Sequence, residues 1–417
     1  MEKVERKTSR ARDVSAASRK IRAWVLADDK AGHTTQSVGL AEALGFDYEV
    51  KDLRFNRFER LSNRLLGATL ISLDRARSAP LVPPWPDVVI ATGRRSAPAA
   101  RWVARQSDGQ ARLIQLGRKG GERPETFDVL VSCAHFGLPP HPHRVETLTV
   151  QNAMSPAHLA EAAQRWRGIF ADAPRPHVVL VVGGVTARHV FDAADAERLG
   201  AEAAAFAKST GGSLFAITSP RTGAAAAEAL ARAIGSNGRV HRWARGQSEN
   251  PYAGYLALAD VLIVTGESES MLSEAAATAA PLLIYPLRER PAGRGRRLRA
   301  WTAKTARAGG DGDTEASHSL LGAACAWLIE AGLMRTNRNL TALHEGLIRA
   351  GVARRFGDPI AIERRAPLYE TPSVAARVRA LLDLPDAKPS GDTEVSTLVL
   401  RRYGEREERH RFAGRPL

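Results

Sequence analysis

Three short stretches hold residues able to do chemistry. The first, "DDKAGHTTQS", puts Asp28, Asp29, Lys30 and His33 around one turn after an apolar run. A histidine at the mouth of such a turn can take a proton from a hydroxyl near neutral pH, and an acid beside it, Asp28 first, can share that role. Gly32 permits a backbone conformation closed to other residues. A solvent-exposed or capping histidine is the plain alternative, and Thr34, Thr35 and Gln36 are expected to cap the following helix. The second stretch, "TSPRTG", carries Ser219, Arg221 and Thr222. The third, "DVLIVTGESESMLSEAAA", runs an apolar segment into a polar turn and a helix expected to open near Ser270. There the first free amides and the positive end of the helix dipole lie beside Ser268, Ser270 and Ser273, a place for a phosphate. Glu274, about one turn in, can accept two hydrogen bonds from a ribose diol. Serine caps and a first-turn glutamate are equally ordinary helix-start chemistry.

The elements that must position these residues are legible as alternation. "IRAWVLADD", "FDYEVKDL", "PDVVIATG", "ARLIQLG" and "FDVLVSC" are short apolar runs, with helical stretches such as "SAPAARWVARQ" between most of them. That pattern predicts parallel strands with helical crossovers covering both faces of a sheet. After "PAHLAEAAQRWRGIFADAPRP" the pattern restarts with "HVVLVVGGVTARHVFD", then "GSLFAITS", "GRVHRWA", "DVLIVTG" and "PLLIYPL". The expectation is an α/β chain of two Rossmann-like domains, 21–170 and 171–345. Helices over 346–385 can pack back on the first domain, and 1–20 and 386–417 read as solvated, charged tails, with "STLVL" as a possible edge strand. The Gly- and Asp-rich stretch 303–317 reads as a loop or insertion.

In an open parallel sheet, ligands bind beyond the C-terminal ends of the strands. All three chemical stretches lie at such ends, as does "ATGRRSAPAA", where Arg94 and Arg95 open another helix and can bind an anion.

Composition narrows the function classes. The chain of 417 residues has a net charge of +15 and 44% hydrophobic residues, enough to bury two cores. No apolar run of membrane-spanning length occurs, and the N-terminus lacks a secretory signal's apolar core, so a cytoplasmic protein is expected. Two cysteines in no metal or redox spacing fit a reducing compartment. The densest basic run, "LRERPAGRGRRLR", has no interleaved aromatic before Trp301, which argues against nucleic acid. It is expected to be a flexible loop near an anionic membrane surface, possible at the inner membrane.

The run "NPYAGYLALADVLIVTGESESMLSEAAATAAPLLIYPL" resembles the ELM1 family, whose bacterial members are candidate glycosyltransferases. The likeness extends to "WVLADDKAGHTTQSVGLAEALG", "TSPRTG" and "GLIRAGVARRFGD", so that it covers most of residues 20–384. The 303–317 stretch and the tail after 385 depart from it. The resemblance implies a GT-B-like build, two Rossmann-like domains facing across a cleft. The second domain would hold a nucleotide sugar and the first an acceptor. It implies donor contacts from Gly183, Gly184, Ser219, Arg221, Thr222, Ser268, Ser270, Met271, Ser273 and Glu274. Gly183 and Gly184 would let backbone approach the donor, and Arg221 would neutralise the leaving diphosphate. On the acceptor side the residues themselves offer Lys30, Gly32, Arg94 and Arg95, with His33 and Asp28 as the catalytic candidates.

The expected activity is sugar transfer from a nucleotide donor to a hydroxyl of an envelope lipid or polysaccharide. No cofactor is expected, and no metal, since the donor turn lacks a DxD-like motif. Two alternatives use the same residues. A non-enzymatic adaptor needs only a binding surface, and a nucleotide-sugar epimerase of the same build would convert donor without an acceptor.

Overall fold

The computed structural model describes residues 21–117, 124–244, 247, 249–308 and 320–384. The expected tails, the "STLVL" segment and residues 309–317 of the expected insertion lie outside them.

The first lobe starts with β1 (Arg22–Ala27), α1 (Ala31–Leu44), β2 (Asp47–Asp52) and a short α2 (Asn63–Leu66). It continues with β3 (Val88–Thr92), α3 (Ala97–Gln106), β4 (Arg112–Leu116), β5 (Val129–Cys133) and β6 (Arg144–Thr147). α4 (Pro156–Trp166) leads into β7 (His177–Val181), α5 (Ala193–Ser209), β8 (Ser213–Ile217), α6 (Ala224–Ile234) and β9 (Gly238–His241). Then come α7 (Tyr252–Leu258), β10 (Val261–Thr265), α8 (Glu269–Ala276) and β11 (Leu282–Tyr285). The chain proceeds through α9 (Arg294–Ala308), α10 (Leu320–Glu330), α11 (Leu340–Arg349), β12 (Ala353–Arg355) and α12 (Thr371–Leu382).

Two six-stranded sheets form, ordered β2-β1-β3-β4-β5-β6 and β12-β11-β10-β7-β8-β9. Their pairings are parallel; Val25, for example, lies between Val50 and Ile90, and Leu262 between Leu282 and Val179. β3, β5, β7, β10 and β11 are buried along their whole length, as continuous Val/Ile/Leu runs require when helices cover both faces. The chain is therefore two Rossmann-like α/β lobes with a GT-B-like build. In each sheet the strand order reverses once beside the first strand, between β1 and β3 and between β7 and β10, and the crevices at those points are where such sheets take ligands.

Packing places the lobe boundaries differently from the spacing. α4 lies against α7, and Phe170 stacks on Phe215 at 3.9 Å and meets Tyr255 edge-on, so 156–170 belongs to the second lobe although it precedes the proline-rich break. The second lobe also runs past residue 345: Leu343, Leu347 and Ala353 sit in its core, and β12 extends its sheet. Within 346–384 it is α12 that returns, burying Val374, Ala375, Val378 and Leu382 among Val38, Leu44 and Ile114 of the first lobe. The basic run is not a loop throughout, because α9 begins at Arg294 and continues to Ala308 through the first part of the expected insertion.

Candidate functional site

At the first reversal point, β1 ends in Asp28, whose side chain is buried. Its Oδ1 accepts from the Lys30 amide at 3.0 Å, and its Oδ2 lies 2.9 Å from His33 Nδ1 and 3.0 Å from Arg95 Nη2. Burial by itself would raise this carboxyl; the His33 hydrogen bond and the charges of His33 and Arg95 outweigh it and hold Asp28 below the usual carboxylate value. Asp28 thus holds the His33 ring at Nδ1 and the Arg95 guanidinium through the same oxygen. His33 keeps about a quarter of its side chain in solvent. With Nδ1 committed to Asp28, Nε2 is the ring nitrogen left to exchange a proton with a substrate hydroxyl.

Arg94 and Arg95 have other employment. Arg95 also pairs with Asp29 and with Glu59 and lies over the Phe55 ring, while Arg94 donates to the backbone oxygens of Leu61 and Glu59. They tie the 57–66 segment to the β1 and β3 turns, which is not the arrangement of two arginines open to an anionic acceptor. Thr34 is buried inside α1 and does not cap it; the helix starts earlier, at Ala31, with Lys30 at the cap position.

At the second reversal point, the loops after β7, β8 and β10 meet. Ser219 Oγ donates to the Gly183 carbonyl at 2.6 Å, and Thr222 Oγ1 donates to the same oxygen at 2.7 Å. These two hydroxyls shape the glycine turn and are not turned to a ligand. Gly184 has φ +138°, and a methyl there would strike the Arg221 backbone; a methyl at Gly183 would overlap the carboxylate of Glu267. Gly183 therefore makes room for Glu267, a residue that the sequence pattern did not single out, and Gly184 for the Arg221 backbone.

Glu267 is held between the two turns. Its Oε1 accepts from the Gly184 amide at 2.7 Å and lies 3.5 Å from Arg221 Nη2, while its Oε2 is buried with no partner among the described residues. Desolvation raises its pKa, against the opposing pull of Arg221 and the Gly184 amide. Glu267 is thus a fully buried carboxyl with one unmatched oxygen behind a strand-reversal crevice. A glutamate two residues beyond a strand, after Gly266, was the available signal; Glu274, inside the helix, drew attention instead.

Glu274 accepts from Tyr252 Oη at 2.7 Å, and burial pushes its carboxyl up to about 7 although Tyr252 opposes that. Tyr252 in turn feels the charge of Arg221, so Arg221, Glu267, Tyr252 and Glu274 form one neighbourhood. Ser268 is the N-cap of α8, with no side-chain cap bond, and Met271 is half-buried against the lobe core. Ser273 does something else: its Oγ donates to the Glu269 carbonyl at 2.7 Å and accepts from the Val150 amide at 3.1 Å, pinning α8 to the chain crossing between lobes.

The lobes bring the two reversal points together. A Cβ built on Gly32 would lie 3.6 Å from Ser270 Oγ, so the β1 turn faces the tip of α8. Beside that contact His135 Nε2, after β5, lies 3.0 Å from Glu269 Oε2, and Arg338 Nη1 lies 3.0 Å from Glu269 Oε1. His33, held by Asp28, thus lies on the first-lobe side of this contact, and the α8 tip, with Arg221 and the buried Glu267 behind it, on the other.

Comparison with known proteins bears on ancestry. The family model for mitochondrial fission ELM1 matches residues 31–307. The Mitochondrial fission protein ELM1 of Arabidopsis thaliana is 33% identical over 221 residues, 48% of this chain and 51% of that protein. The uncharacterized protein RP120 of Rickettsia prowazekii is 32% identical over 94 residues, 22% of this chain and 26% of that protein. The matches thus span about half of the first relative's length and less of the second's. Among solved structures, MurG of Acinetobacter baumannii shares 13% identity over 94% of this chain and 95% of its own, with a TM-score of 0.35. The UDP-GlcNAc 2-epimerase of Methanocaldococcus jannaschii shares 11% over 92% and 99%, with a TM-score of 0.41. Those likenesses are distant, and the fold assignment rests on the two parallel sheets. With a family match spanning both lobes as far as α9, the chain belongs to the mitochondrial fission ELM1 family.

Proposed function

We propose that the protein is a nucleotide-sugar-dependent glycosyltransferase whose acceptor is a hydroxyl of a cell-envelope lipid or polysaccharide. The observation that supports this reading is the approach of the β1 turn to the tip of α8, which brings the lobe carrying His33 up to the lobe carrying Arg221. The donor diphosphate would lie at the α8 tip, against the free amides near Ser268 and Ser270 and the Arg221 guanidinium. Glu267 Oε2 would accept a donor hydroxyl, with Glu274 at the ribose edge. His33, oriented by Asp28, would take the acceptor proton as the acceptor oxygen bonds to the anomeric carbon and the nucleoside diphosphate leaves with the bonding electron pair. Arg221 and the helix dipole would stabilise that developing charge without a metal.

Calorimetric titration with UDP, GDP and ADP tests the donor half. One of them should bind, and Arg221→Ala or Glu267→Gln should weaken it by about tenfold, one lost charge-assisted contact each. Absence of binding by all three would instead favour an adaptor. Conversion of a nucleotide sugar with no acceptor present would make it an epimerase. In a transfer assay, activity should persist in EDTA and fall by at least about a hundredfold in His33→Ala.

A further inference from the structure

The cleft chemistry makes no use of the α9–α10 pair, yet its composition is unlike that of the rest of the surface. α9 carries six cations and no acid over its fifteen residues, and α10 carries no charge before its last residue, Glu330. The inner faces are settled: Ala306 of α9 and Cys325 and Ile329 of α10 share one core with Cys133, Phe136 and Val150 of the first lobe. Arg307 paired with Glu146 and Arg144 with Glu330 fasten both helices to that ledge. Two helices packed on each other and on a common ledge present their opposite faces in the same outward direction.

Large apolar side chains stand on that outward side. Trp301 is 50% exposed, Trp327 62% and Leu320 91%, with Leu298 and Leu321 also more than half exposed. Single exposed leucines are ordinary, but two tryptophans and three leucines on adjoining helices form a patch. Arg294, Arg297 and Lys304, on the same side of α9, make no ion pair among the described residues. No helix among the described residues is long and apolar enough to cross a membrane. Indole rings and leucines edged by unpaired guanidinium groups suit the boundary between headgroups and acyl chains.

We propose that the outer face of α9–α10 docks the protein on a bilayer bearing anionic headgroups, with the rings entering the interface and Arg294 and Arg297 meeting lipid phosphates. The ledge under the helices includes Phe136, next to the buried His135 that meets Glu269 of α8. The inference stands apart from the transferase reading, since vesicle binding and nucleotide binding are measured separately.

The test is sedimentation of the full chain with phosphatidylcholine vesicles, alone and mixed with phosphatidylglycerol. The mixed vesicles should bind the protein and the neutral ones should not. Arg294→Glu with Arg297→Glu should weaken binding by about thirtyfold or more. Trp301→Ser with Trp327→Ser should weaken it comparably, and both pairs should keep the wild-type melting temperature because the side chains lie outside the core. Equal binding to neutral vesicles, or wild-type binding by both variant pairs, would overturn the proposal. So would a failure to bind either vesicle alongside a dimer that the tryptophan pair splits, which would assign the face to a second copy of the chain.

Discussion

Two residue-scale features of the second lobe have measurable consequences. The Glu274 carboxyl is raised from 4.5 to about 7, so between those values the folded chain holds a proton that the unfolded chain releases. The folded state then binds more protons, and stability is lost as pH rises through that window. Glu274→Gln removes the titration, so melting temperatures measured from pH 5 to 8 should fall less steeply in the variant, which should be the more stable protein at pH 8. Gly183 and Glu267 are coupled by contact. Gly183→Ala forces a methyl onto the carboxylate and should cost about 1–3 kcal/mol in denaturant unfolding, as overpacking does. Adding Glu267→Ala should restore much of that loss, whereas two independent sites would give additive losses. A turn of two glycines could be read from the sequence, but not the carboxylate it meets, because the Gly184–Glu267 hydrogen bond joins positions 83 residues apart.

Among the elements, the two segments that cross between lobes are fastened to each other. At the N-cap of α12, Glu370 accepts from the Leu148 and Thr149 amides at 3.1 and 2.6 Å and from Thr149 Oγ1 at 2.6 Å, while Tyr369 and Thr371 donate to the Asn152 carbonyl. Replacing Glu370 with Ala leaves two amides of the crossing without a charged acceptor and should cost about 2–3 kcal/mol, read as a shift in the denaturant midpoint at unchanged slope. Most strands were legible element by element, as short apolar or alternating runs closed by a polar turn. β6 and β12 were not: "RVET" and "ARR" carry charged side chains and are strands only because a neighbouring edge pairs with them. The start of α9 was obscured by glycine and arginine, residues that read as loop until a ledge is available to bury Thr302, Ala303 and Ala306.

At the scale of the molecule, the return of α12 makes the lobes interdependent. Removing residues 371–384 should expose the face of α1 that α12 covers, and amide exchange in β1 and α1 should accelerate far more than in β7 and β10. Equal acceleration in both lobes would mean that the chain unfolds as one unit. The double crossing at 148–152 and 369–371 is also the natural hinge for closing the cleft, since it is the backbone shared by both lobes. What the sequence by itself determined is local: two rounds of alternating strand and helix, the polar turns at the strand ends, and the residue types able to move a proton or meet a phosphate. These follow from hydrophobic periodicity and turn chemistry, which act over a few residues. The tertiary structure decided which of those groups are free. It spent Ser219, Thr222, Ser273, Arg94 and Arg95 on holding loops, set Asp28 against His33 and Arg95, and left Glu267 with an unmatched oxygen. Burial and partnership depend on contacts between distant segments, and no short window of sequence contains them.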